Sequence, residues 1–307
     1  MSLEAELYEE RRRQWRRSAF WRGVLVTLGV LVALSVIGAM SMPDQAGRPS
    51  TPHIVTHQIS GVIFNDPERD LEIAELAEDD AARALILYIE SPGGTTVGSE
   101  GLHAALAKLS AEKPVVAVMG EVAASGGYIA ALPADHIIAR GNTLTGSIGV
   151  ILQYPNLTEL MDRLGVEMET FRSSELKGGP SPFRDSSEAE RNAEAAIVTD
   201  AFAWFRDLVA TDRGLSGTEL DAVANGQVFT GRQALTLGLI DEIGGLEEAE
   251  SWLASVDSSF ADLPQAPLFE PQDDPNVIEL ITDWASAGQF LPHIGPSSGG
   301  GLLSVLP

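Results

Sequence analysis

Two glycine-flanked segments and one lysine carry the groups with which this sequence could do covalent chemistry. In Glu121-Val122-Ala123-Ala124-Ser125-Gly126-Gly127-Tyr128, a serine follows a buried-strand pattern (VVAVM, then Gly120) and precedes an apolar helical one (YIAALPA). A serine at a strand-to-helix junction exposes its hydroxyl and stands beside helix N-terminal N–H groups that can stabilise an oxyanion, which is the geometry of a nucleophile. The bland reading makes Ser125 an N-cap and its glycines close-packing spacers, and this segment alone does not separate the two. The second segment, Ser91-Pro92-Gly93-Gly94, ends the strand-like run ALILYIE. The amides of Gly93 and Gly94, at the C-terminal end of a parallel strand, are free to face a developing oxyanion, although an ordinary Pro-Gly turn accounts for the motif as well.

A serine nucleophile needs a base. The five histidines, His53, His57, His103, His136 and His293, all lie outside the glycine-flanked loops, so a Ser-His-Asp site is not supported. Of the three lysines, Lys108 and Lys113 fall at the end of a helical pattern and in the polar turn after it, where solvated or dipole-facing roles suffice. Lys177 stands apart, in the loop Ser173-Ser174-Glu175-Leu176-Lys177-Gly178-Gly179-Pro180. A lysine acts as general base only when neutral, so desolvation must bring its pKa toward the working pH, and serine with lysine is a known variant of the triad.

The elements that must position these groups alternate. Strands are expected at Ile54–Phe64, Ala84–Glu90, Val115–Met119, His136–Ala139, Ser147–Leu152 and Val166–Phe171. Helices are expected at Glu68–Asp79, Gly98–Leu109, after Ser125 and at Leu157–Leu164. Continuous apolar strands and βαβ alternation predict an α/β domain with a largely parallel sheet buried on both faces. A long amphipathic helix is expected over 187–213, with Ala196, Ile197, Phe202, Phe205, Leu208 and Val209 on its apolar face. No internal repeat is visible.

Of the 307 residues none is cysteine, which excludes disulfide staples, thiolate metal sites and a cysteine nucleophile. The formal charge is −24, and residues 41–307 alone carry 14 basic and 40 acidic side chains, a net of −26 that repels nucleic acid. The run VLVTLGVLVALSVIGAM, Val24–Met40, is uncharged and, extended back to Ala19, long enough to span a bilayer. Five arginines between Arg11 and Arg17 precede it, so the positive-inside rule predicts a cytoplasmic N-terminus and an extracytoplasmic body. A cleaved secretory signal ending near Ile37-Gly38-Ala39 is the rival, disfavoured by the length of the apolar run, and a buried core helix is disfavoured by its lack of a polar face. The expected divisions are an Arg-rich segment at 1–18, a transmembrane anchor at 19–42, a linker at 43–53, the catalytic domain at 54–261 and a Pro/Gly/Ser-rich tail at 262–307.

Taken together and in order, SPGG at 91–94, GEVAASGGYIAA at 120–131, NTLTGSIGV at 142–150, RSSELKGGPSPFR at 172–184 and GQVFTGRQALTLGLIDEIGGL at 226–246 resemble the membrane-anchored serine peptidases of family S49, the signal peptide peptidase A type, within the ClpP/crotonase superfold. The resemblance runs from about Ile54 to Leu253. It implies Ser125 as nucleophile, Lys177 as base, Ser147 as the residue orienting the lysine amine, and the Gly93/Gly94 turn with the Gly126 amide as oxyanion donors. It implies no metal or organic cofactor, apolar peptides such as signal-peptide remnants as substrates, and a ring-like homo-oligomer at the cell membrane in which one chain's lysine completes the next chain's serine site. ELKGG lacks the aromatic that many relatives carry before the lysine, a departure that bears on substrate fit.

Two other classes compete. A crotonase-type acyl-CoA enzyme is disfavoured by the charge of the body and by a serine and lysine that enolate chemistry does not need. A non-catalytic membrane scaffold is disfavoured because both residues are present. Finally, Gly299-Gly300-Gly301 followed by Leu302-Leu303-Ser304-Val305-Leu306 reads as a flexible spacer carrying a substrate-like segment, which predicts self-occupation of the active-site groove against the simpler reading of a disordered terminus.

Overall fold

The computed structural model describes residues 49–268 and 303–305; the expected anchor at 19–42 and most of the tail lie outside the described residues. Among the described residues no helix is long and apolar enough to cross a membrane. The chain runs β1 (His53–Ile63), α1 (Pro67–Glu75), β2 (Ala82–Thr95), α2 (Thr96–Ser110), β3 (Val115–Ala124), α3 (Gly126–Ala131), β4 (His136–Ala139) and β5 (Leu144–Gly146). Next come α4 (Thr158–Leu164), α5 (Glu188–Arg213), α6 (Gly217–Val223), β6 (Val228–Thr230), α7 (Gly231–Thr236), β7 (Glu242–Ile243), α8 (Leu246–Val256), a 3-10 turn (Ser258–Asp262), β8 (Gln265–Pro267) and β9 (Leu303–Val305).

The sheet order is β6-β5-β3-β2-β1-β8, with β4 on β3, β7 on β4 and β9 on β2. Pairing is parallel except for β5 with β6 and β2 with β9. Alternating residues of the apolar strands face opposite layers, as period-2 geometry requires. Leu85, Leu87 and Ile89 pack with Leu102 and Leu106 of α2 and Phe205 of α5, while Ala84, Ile86 and Val118 pack with Ala249 and Leu253 of α8. The result is the expected α/β architecture of a sheet covered on both faces.

β3 has two parallel neighbours in succession: Val116–Met119 pair with β4, and Val122–Ala124 pair with β5. Between them the Glu90 carboxylate accepts the Glu121 and Val122 amides at 2.7 and 3.2 Å, replacing ladder bonds lost where the β2 register shifts. Gly120 is glycine for the same reason, since a Cβ there would meet Glu90 Oε2 at 2.0 Å.

Two strand expectations need correction. The expected strand at Ser147–Leu152 is displaced to Leu144–Gly146, because Ser147 takes a positive φ of 51° and turns the chain out of the ladder. The expected strand at Val166–Phe171 is absent, and its apolar residues find no sheet partner among the described residues, Phe171 being 95% exposed. β8, Gln265–Pro267, pairs in parallel with the start of β1. The long helix forms over Glu188–Arg213 with a Ser187/Glu190 capping box, but of its expected apolar face only Phe205 and Val209 are fully buried and Ile197 is half exposed.

Tyr128, the third residue of α3, is wholly buried and donates its hydroxyl to the Leu239 carbonyl at 2.8 Å, tying α3 to the segment after α7. Burial pushes its phenol pKa well up, so it remains a donor. Replacing Tyr128 with Phe keeps the packing and removes the donor, and is expected to cost about 1–3 kcal/mol in urea or thermal unfolding. An unchanged melting temperature would count against this tie.

Candidate active site

β3 ends in Ser125, whose backbone sits at φ 54°, ψ −117°, a conformation disfavoured for any residue with a side chain. Its N–H donates to Gly146 O at 2.8 Å and its carbonyl accepts from Ile129 N at 2.9 Å, so strand, turn and helix meet at this residue. Two threonines on the chain leading to Gly146 hold the approaching strand: Thr143 donates its hydroxyl to Gly120 O at 2.6 Å and Thr145 to Ala123 O at 2.7 Å. Among the described residues Ser125 and Ser147 are the only non-glycines at positive φ. They flank the same bond, because Ser147 follows Gly146 directly and donates its own N–H to Gln227 O at 2.8 Å.

The Ser91–Gly94 turn packs on the start of α3, backbone against backbone. A Cβ on Gly126 would stand 2.8 Å from Gly94 N and 2.4 Å from Ser99 Oγ, and one on Gly127 would stand 2.7 Å from Ser91 O. The two glycines after Ser125 are therefore a packing requirement. Gly93, at φ 129°, donates its N–H to Ser91 Oγ at 3.1 Å. Of the three glycines expected to serve an oxyanion, Gly93 thus has its amide engaged, while Gly94 and Gly126 adjoin. Ser125 Oγ is buried, with no hydrogen-bond partner among the described residues.

Lys177 lies in the exposed loop between α4 and α5. Its backbone N–H donates to Ser174 O at 3.2 Å, and no hydrogen bond joins its amine to Ser125 within the chain. The other lysines are engaged elsewhere: Lys108 pairs with Glu78 at 3.3 Å, and Lys113 donates to the Leu76 carbonyl at 2.6 Å and to that of Asp79. His57 lines a cavity of about 870 Å³ with Ile86, Tyr88, Val118 and Arg140, away from Ser125, and burial lowers its pKa to about 4. No group of residues suited to a metal ion occurs among the described residues.

Residues 107–258 match the model of peptidase family S49. The putative protease slr0021 of Synechocystis is 36% identical over 200 residues, which are 65% of this chain and 72% of that protein. The chain belongs to peptidase family S49. It is a serine peptidase by that membership, which removes the crotonase and scaffold alternatives. The putative signal peptide peptidase SppA of Enterococcus faecium is 32% identical over 214 residues, 65% of this chain and 62% of the relative. Against protease 4 of Haemophilus influenzae the S49 chain spans only 35% of the relative's length. A mutant of the 1510-N membrane-bound stomatin-specific protease shares the fold, with a TM-score of 0.50 at 17% identity over 72% of this chain and 99% of that one.

Sequence reasoning missed what holds the peptidase's lysine loop. Glu190, in the first turn of α5, is 2% exposed and accepts from Arg184 Nη1 at 2.8 Å, from Arg184 Nη2, from Arg172 Nη1 at 3.3 Å and from Ser187 N at 2.8 Å. The signal was present in the arginines that bracket RSSELKGGPSPFR and in a glutamate three residues after the cap. The Arg184 hydrogen bond, with help from the Ser187 amide, lowers the Glu190 pKa from 4.5 to about 2. A carboxylate whose pKa falls on folding contributes stability that is complete above its unfolded value and is lost as pH falls through its folded one. Protection of residues 172–184 against proteolysis or hydrogen exchange is therefore expected to decline between about pH 4.5 and 2, and to be independent of pH there in Glu190→Gln. Equal protection of the wild-type loop at both ends of that range would refute the linkage.

Proposed function

We propose that the chain is an endopeptidase with a Ser-Lys dyad that hydrolyses apolar peptide segments, such as remnant signal peptides, at the outer surface of the cell membrane. Ser125 Oγ attacks the scissile carbonyl carbon while the neutral Lys177 amine takes its proton. The Gly94 and Gly126 amides receive the charge that develops on the carbonyl oxygen, and Ser147 orients the amine. The lysine then returns the proton to the leaving amine, and a water activated by the same lysine releases the acyl group from the serine. The observation that carries the reading is the strained, buried Ser125 beside two adjoining glycine amides, with its hydroxyl not yet partnered. The residues at 19–42 would serve as the anchor, with the N-terminus cytoplasmic.

Assembly supplies the missing partner. No residue from Gly149 to Ala189 is buried, and this arm exposes Leu164, Met168 and Phe171 to the extent of 65%, 56% and 95%. An arm without a core of its own, bearing a lysine that makes no hydrogen bond to the serine of its own chain, fits a ring in which the lysine completes a neighbour's site. Ser125→Ala and Lys177→Ala chains should each lose activity by about a thousandfold or more, and Lys108→Ala should not. Co-assembly of the two inactive chains should restore turnover at roughly a quarter of the junctions. Full activity in Lys177→Ala refutes the dyad; no recovery in verified mixed assemblies refutes the shared site alone.

The expectation for the tail is supported by β9, which pairs antiparallel with the glycine turn, Leu303 opposite Thr95, Ser304 opposite Gly94 and Val305 opposite Gly93. An extended substrate would add to the same edge, with main-chain bonds supplying affinity. Truncation after Pro296 should lower KM for a peptide substrate and leave kcat unchanged. An unaltered KM removes the idea.

A further inference from the structure

The buried carboxylate of Glu190 does more than a helix cap needs. A capping box requires only that its side chain accept the Ser187 amide, which it does at 2.8 Å, while Ser187 Oγ accepts the Glu190 amide at 3.2 Å. The same two oxygens also take two guanidinium groups, and Gly179 presses on them closely enough that a Cβ there would stand 2.0 Å from Oε1. One side chain therefore touches the lysine loop at Arg172, Gly179 and Arg184, on both sides of Lys177. Arg172 Nη1 passes the hold inward by donating to the Glu175 carbonyl at 2.9 Å, two residues from the lysine. At the other end Leu157 N donates to Pro182 O at 2.7 Å and Asn156 to Asp185 at 3.0 Å, which ties the loop to the start of α4.

A carboxylate that is 2% exposed is rare unless paired, and this one is paired twice in an arm where no other residue between Gly149 and Glu190 is buried. Apolar burial cannot fix a loop that has none, so charge-assisted hydrogen bonds take that part. Without them the residues around Lys177, rich in serine and glycine, would sample many conformations, and a base displaced by about 1 Å costs on the order of a hundredfold in rate.

We infer that Glu190 is a positioning residue of the peptidase, holding through Arg172 and Arg184 the loop that presents Lys177 to the serine site. This rests on the Ser-Lys reading. Glu190→Gln separates the two roles, because glutamine still accepts the Ser187 amide as a capping-box residue but gives up the charge that both arginines face. In the full chain the substitution is expected to lower kcat on a peptide about tenfold or more with KM little changed, and to slow labelling of Ser125 by a fluorophosphonate in the same proportion. Helicity and melting temperature should stay close to wild type. In mixed assemblies Ser125→Ala chains, which keep an intact lysine loop, should rescue Glu190→Gln, whereas Lys177→Ala chains should not.

Wild-type kcat and labelling in Glu190→Gln, alongside an inactive Lys177→Ala, overturn the inference and leave the dyad standing. A loss of activity matched by a fall in helicity and melting temperature assigns Glu190 to folding alone and also overturns it. Activity in Lys177→Ala refutes the dyad itself, by a result distinct from either.

Discussion

Everything near Ser125 depends on one constraint, that a residue bearing a side chain is held at φ 54°, ψ −117°. Such a backbone costs on the order of 1–3 kcal/mol and persists only where its surroundings over-determine it. Here the Gly146 carbonyl fixes the Ser125 amide, the Ile129 amide fixes its carbonyl, and two threonine hydroxyls hold the strand leading to it. The Gly146 contact exists because β3 changes partners from β4 to β5, and that change is made possible by the Glu90 carboxylate, which accepts the amides at the break. The positive φ of Ser147 belongs to the same construction, since the chain must leave β5 immediately after supplying the Gly146 carbonyl.

The body that bears this strain is stiff for ordinary reasons. Fully burying a Val, Leu, Ile or Met side chain is worth about 1.5–3 kcal/mol, and β1, β2 and β3 bury such residues on both faces. Backbone-to-backbone packing of the Ser91–Gly94 turn on Gly126 and Gly127 then sets where the Gly94 and Gly126 backbones stand. The arm from Gly149 to Ala189 is built on the opposite principle, with exposed apolar side chains and a polar clamp in place of a core.

That contrast decides what was legible in the sequence. ALILYI and VVAVM revealed a two-sided sheet because periodicity records burial, and burial is complete there. The glycines after Ser125 were visible, but their steric role was not, since the groups they admit, Ser91 O and Gly94 N, are some thirty residues away in the chain. Val166–Phe171 misled because alternation of apolar with polar residues marks a strand-like face without saying whether a neighbouring strand is there to pair with it. Arg172, Arg184 and Glu190 went unread because three charges in a polar stretch look like a solvated surface until the fold brings them to one point. β5 was placed late because a positive φ at a serine leaves no compositional trace.

On the proposed reading, the split between stiff body and exposed arm has a chemical consequence. A lysine works as a base only when neutral, and losing water is what makes it so. Among the described residues Lys177 stands in an exposed loop. Ser125 has the complementary defect, a buried hydroxyl without an acceptor. Docking the arm of one chain against the serine turn of another would desolvate the amine and supply the acceptor in one event, so an unassembled chain would hold neither an activated base nor an activated nucleophile. A peptidase built this way would acquire its activity only where its chains meet.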